Sequence, residues 1–179
     1  LSRKKLTDAK TEIDNVMTVE KNKTLAEAWY TKAKIYGAIA ADSSLKSSVP
    51  DARGTALESM KTYLDLESKE KDAAKRNIQL TLDNNAPLID LYTGYSKDAA
   101  SFYNANNYND AFVNFKKSLE VFDLLSSKNI IPIKLDTTTT LYAGISAEKA
   151  QKPDDAAIYY GKIAEAKAKG DGFVEIYKW

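Results

Sequence analysis

Apolar and aromatic side chains recur three and four positions apart along most of this chain, as in Tyr95, Ala99 and Phe102 and again in Tyr108, Ala111, Phe115, Leu119 and Phe122. That spacing lays a stripe of side chains down one face of a helix, whereas the two-residue alternation of a half-buried strand is rare. Breaks in the pattern fall near Ser47 to Arg53, Asn84 to Pro87, Asn104 to Asn109, Ser126 to Asp136, Lys152 to Asp154 and Gly170 to Gly172. The pattern predicts an all-α protein with helices over 3–20, 24–41, 51–67, 71–83, 86–105, 108–126, 137–151 and 153–169, and a further one opening at 172. Thr24 followed by Leu25-Ala26-Glu27 reads as a capping box, and Asp51 after Pro50 opens the third helix.

Aligning the chain with itself finds four stretches in which a small residue is followed four positions later by a large one. They are Ala9, Ile13, Val16; Ala56, Met60, Tyr63; Ala111, Phe115, Ser118; and Ala156, Tyr160, Ile163. Partner helices precede three of them, carrying Trp29, Ala33, Tyr36, then Tyr95, Ala99, Phe102, then Thr140, Gly144, Ala147. Two antiparallel helices approach closely where one offers Ala, Gly or Ser to the other's ring, so these positions are the expected repeat core.

On these residues the chain resembles the tetratricopeptide repeat family, whose pattern runs from an aromatic through Leu-Gly and Tyr to Ala and Phe in the second helix. Tyr95 to Leu119 carries the match, with Tyr95, Ala99, Phe102, Tyr108, Ala111, Phe115 and Leu119 in place. The resemblance implies tandem antiparallel helix pairs stacked into a right-handed superhelix, over residues 1–179 as one array. Its units are a half repeat at 1–23, then 24–67, 71–126 and 137–170, with 171–179 starting another helix. The second-helix alanines lie 47, 55 and 45 residues apart, against roughly 34 in the family, so loops or helices are lengthened and the spacing is irregular. The order Ala9…Ile13 then Trp29-Tyr30…Ile35-Tyr36, and later Asp136-Thr137…Leu141-Tyr142 before Lys152 to Tyr160, also resembles exported repeat proteins of the Gram-negative bacterial envelope, which implies a periplasmic or envelope location.

Composition narrows the chemistry. With no His and no Cys, the usual proton shuttle, thiol nucleophiles and common zinc ligand sets are absent, and neither a metal nor a cofactor is expected. Twenty-six basic and 25 acidic residues leave a formal charge of +1, spread along the chain, so no nucleic-acid footprint is visible. No apolar run reaches the roughly 18 to 20 residues of a membrane span. The start at Leu1 and the stop at Trp179 within a helical pattern read as a processed or excised piece of a longer protein.

Several residues with chemical potential have simpler roles. Asp154-Asp155 reads as first-turn acids at the positive end of a helix. Asn104, Asn106, Asn107, Asn109 and Asp110 lack the glycine and terminal glutamate of a calcium loop and read as a turn and cap. Asn22-Lys23-Thr24 reads as a helix cap and Gly170-Asp171-Gly172 as an inter-helix turn. What remains are residues one step beside the core stripe of the first helices: Tyr30, Lys34, Tyr103, Asn104, Glu148 and Lys149. In the resembled family that face lines a concave groove. The expectation is a non-catalytic scaffold holding a peptide or partner protein there; a structural spacer or self-assembly module without its own ligand is the alternative. The family's clamp for a C-terminal carboxylate uses Lys and Asn, and Tyr30 and Lys34 stand at the corresponding first-pair places, which argues against that ligand. Phe173, Ile176, Tyr177 and Trp179 form an apolar stripe with no following helix, suited to self-association.

Overall fold

Helix is the only regular secondary structure among the described residues of the computed structural model, which are 2–72, 76, 78–169 and 173. The helices are α1 (Arg3–Val16), α2 (Ala26–Ala41), α3 (Ala52–Lys69), α4 (Gln79–Leu82), α5 (Ala86–Asn104), α6 (Tyr108–Ser127), α7 (Thr137–Lys149) and α8 (Pro153–Glu165), with a 3-10 turn at Glu20–Thr24. The all-α expectation is met. Contacts divide the chain into two units, 1–91 and 92–179, the boundary falling within α5.

Several predicted helices come out shorter, among them the one expected over 153–169, which ends at Glu165. The first stops at Val16, where the side-chain amide of Asn22 donates to the Val16 carbonyl at 2.8 Å. The Thr24 hydroxyl donates back to Lys21 O at 2.8 Å, so Leu25 rather than Thr24 is the N-cap of α2 and the capping box does not form. Of the helix expected over 71–83, residues Gln79–Leu82 are helical, 71, 72, 76 and 78 are not, and 73–75 and 77 lie outside the described residues.

Five helix ends share one device. Asn84, Asn106, Asn129, Gln151 and Lys167 take positive φ of 49–59°. In each case the amide of the next residue reaches the carbonyl five positions back, as Asn107 N to Phe102 O at 2.9 Å and Lys152 N to Ala147 O at 2.9 Å. This is the Schellman closure, which satisfies carbonyls that the last turn leaves open. Glycine adopts that conformation without Cβ strain, so Gln151→Gly is expected to raise stability by about 1 kcal/mol. A lowered melting temperature for that variant would contradict the assignment.

In the first unit α2 packs on α1 and α3. Its core joins Leu6, Ile13 and Met17 to Ala33, Tyr36 and Ile39 and to Ala56, Leu57, Met60 and Tyr63. Met17 fills the place expected of Val16, which is 38% exposed. In the second unit α7 packs between α6 and α8. Ala99, Ala111, Phe115, Ala143, Ala147, Ala156, Tyr160 and Ile163 form one buried cluster there. Phe102 is half-buried against it. A Cβ placed on Gly144 would sit 2.6 Å from the Tyr160 ring, so the glycine is what lets α7 and α8 close together. Phe173 is also partly buried against this cluster, so it is not part of an uncovered stripe. Ile176, Tyr177, Trp179 and the Gly170 to Gly172 turn lie outside the described residues.

Candidate functional site

The six expected face residues separate into two places, Tyr30 and Lys34 in the first unit and the other four in the second.

Tyr30 does not line an open face. It is 3% exposed, its ring meets Tyr63 at 5.0 Å, and its hydroxyl donates to Asp83 Oδ2 at 2.6 Å. Trp29, expected in the core, is half-buried, and its indole N–H donates to Lys23 O at 2.8 Å. The two neighbours have thus exchanged roles, a shift of one residue, or about 100°, around the helix. Lys34 is exposed and pairs with the same Asp83 oxygen at 2.6 Å, its ammonium 5.6 Å from the Tyr30 ring. Lys34 and Tyr30 together hold the Asp83 carboxyl below its ordinary range, and burial followed by Asp83 pushes the Tyr30 hydroxyl well above its own. Asp83 therefore ties the α4–α5 turn to α2. That is a structural lock, and it occupies the polar groups of both expected binders.

The second place is built differently. Tyr103 near the end of α5 lies 5.5 Å from the rings of both Tyr108 and Tyr142, edge-on to each. Tyr142 stacks on Phe115 at 5.9 Å and 22°. Three consecutive helices thus contribute one ring each to a continuous aromatic surface over the buried cluster. Tyr142 is 40% exposed, and Tyr103 and Tyr108 are half-buried. The rim is polar. Lys149 holds its ammonium 5.0 Å from the Tyr108 ring, and the Tyr108 hydroxyl donates to Asn106 Oδ1 at 2.7 Å. Glu148 accepts from the Tyr160 hydroxyl at 2.6 Å. Asn104 is exposed at the end of α5.

The Asn-rich turn beside this surface is a helix junction. Asn106 takes φ 59° and the Asn107 side chain accepts from the Asp110 amide, capping α6. Asp154 and Asp155 sit in the first turn of α8 behind Pro153.

Neither Tyr142 nor Asp83 is among the site residues expected from the sequence. Tyr142 lies between the core positions Thr140 and Gly144, and a bulky aromatic off the stripe is a signal available in the sequence. Asp83 carries no such signal, because its partners stand 49 and 53 residues away. Protein-family models, curated proteins and solved structures were compared with the chain, and none matches.

Proposed function

We propose that the protein is a non-catalytic interaction scaffold of tetratricopeptide type, whose stacked helix pairs form a right-handed superhelix and hold a peptide or a partner's helix. The observation that carries this reading is the aromatic surface of Tyr103, Tyr108 and Tyr142, set on a packed cluster and rimmed by Glu148, Lys149 and Asn104. Tyrosine supplies a large, rigid contact area with a polar tip at low entropic cost, which suits a binding anchor. Placing rings on three successive helices fixes their spacing, and a fixed spacing selects the side chains of a partner.

The close helix approach at Gly144 and the alanine-rich seams support the repeat arrangement, since small residues facing rings are what such pairs require. Stacked pairs of this kind yield extended surfaces for peptides.

A peptide selected from a random library against the purified chain provides the test. Its affinity is expected to fall by about 2 kcal/mol, near thirtyfold, in Tyr103→Ala or Tyr142→Ala. Lys128→Ala, at the far end of α6, should leave it unchanged. Retained affinity in both tyrosine variants would show that the aromatic surface is not the binding face.

A further inference from the structure

A second set of side chains lies where α6 meets α8. Phe112 and Tyr159 touch edge to face at 5.7 Å, and are 2% and 8% exposed. Three ammonium groups cover them. Lys116 and Lys152 stand 5.2 and 5.4 Å from the Phe112 centroid, and Lys162 stands 5.4 Å from that of Tyr159. Lysine stems commonly shield apolar surface in this way while the charge stays in water.

Shielding explains the stems but not the company the charges keep. Elsewhere Lys10, Lys23, Lys34 and Lys69 each hold a carboxylate at 2.5–2.9 Å, as expected of a chain with nearly equal numbers of both signs. Lys116, Lys152 and Lys162 hold none among the described residues. Acids also border this face: Asp123 and Asp155 act on Tyr159 through space, Asp154 opens α8, Glu165 follows Lys162 by three residues, and Glu120 follows Lys116 by four and pairs with Lys117. Beside the lysines, Val113 is 50% exposed and Ile158 56% exposed. One surface therefore mixes three unpaired cations with two exposed aliphatic side chains.

We propose that this α6–α8 face is a second docking surface, which takes an acidic segment of a partner protein whose carboxylates alternate with apolar residues. Carboxylates would draw the ammonium groups into ion pairs, and the apolar residues would cover Val113 and Ile158. Lys116 and Lys162 are themselves exposed, and a cation that stays in water is weakly held by a ring, so redirecting it toward a carboxylate costs little. Single-stranded nucleic acid fits less well, because stacking needs an open ring face and both rings are buried beneath lysines.

The test uses a fluorescein-labelled peptide of alternating Glu and Leu, its Gln and Leu counterpart, an oligothymidylate, and vesicles containing phosphatidylserine. The acidic peptide is expected to bind, with affinity falling as salt is added. Replacing all three lysines (Lys116→Gln, Lys152→Gln, Lys162→Gln) should weaken it by roughly tenfold or more, while the triple Lys→Arg protein keeps it. Tyr142→Ala should leave this binding intact, which separates it from the aromatic surface described above. The proposal is overturned if the wild-type protein fails to bind the acidic peptide, binds the neutral peptide equally, or binds only the oligonucleotide or vesicles. It is also overturned if the folded Gln variant binds as the wild type does, or if the Arg variant, folded, loses binding.

Discussion

Gly144→Ala is expected to destabilise the second unit by about 1–3 kcal/mol, although alanine is the better helix former by about 1 kcal/mol. Two effects compete at this position. The added methyl removes backbone freedom from the unfolded chain, which favours folding wherever the native site has room. Here it has none, since the new Cβ would lie 2.6 and 2.7 Å from two carbons of the Tyr160 ring. That ring cannot swing aside cheaply, being 6% exposed and tied through its hydroxyl to Glu148. Overpacking therefore decides the sign.

The ring is the stated cause, so removing it should reverse the outcome. In a Tyr160→Leu background, itself less stable, Gly144→Ala is expected to be neutral or stabilising. Gly37 and Gly161 supply the comparison, because a Cβ at either meets nothing within 4 Å. Gly161→Ala should raise the denaturation midpoint by the propensity term alone. Equal shifts for Gly144→Ala and Gly161→Ala would mean that α7 and α8 do not close on this glycine.

The same contact shows how far the sequence could be read. Small residues opposite rings repeat along the chain, and Ala56, Ala99, Ala111, Ala143, Ala147 and Ala156 are all fully buried. Periodicity finds such positions because burial follows the helix's own geometry. It was less reliable at Trp29 and Tyr30, two adjacent aromatics either of which could continue the stripe. The choice fell to Tyr30 because Tyr63 and Asp83 receive it, and both come from elements far along the chain. Of the expected face residues, Tyr103, Glu148 and Lys149 surround the aromatic surface, while Tyr142 was missed because a repeat template marks only its core.

Tyrosine hydroxyls donated to carboxylates of other elements join the helices throughout. Tyr36 reaches Asp14 at 2.8 Å, Tyr30 reaches Asp83 at 2.6 Å, Tyr92 reaches Asp136 at 2.5 Å and Tyr160 reaches Glu148 at 2.6 Å. Burial first, and then the carboxylate partner, raises all four tyrosines above the ordinary value of 10.0. Burial likewise raises Tyr63 and Tyr159. A group whose folded pKa is raised contributes stability that is complete below its unfolded pKa and is lost as pH climbs toward the folded value. Lys10, raised by its hydrogen bond to Asp14, adds to the same loss. Alkaline unfolding is therefore expected above about pH 10, with tyrosinate absorbance and loss of helical dichroism rising together in one transition.

At the acid end the sign reverses. Burial of Asp14 opposes ionisation but is outweighed by hydrogen bonds from Lys10 and Tyr36, and Asp83 is lowered by Lys34 and Tyr30. Their contribution is present above an unfolded value near 3.8 and is lost as pH falls through the lower folded values. Tyr160→Phe separates the two limbs. At neutral pH it should cost about 1 kcal/mol, the net worth of a hydrogen bond whose carboxylate can return to water. Above pH 10 the same variant lacks one of the hydroxyls that drive unfolding, so its disadvantage against the wild type should shrink or reverse. Tyrosinate absorbance that rises as a simple titration while the helical signal stays constant would show that these hydroxyls are not locked by the fold.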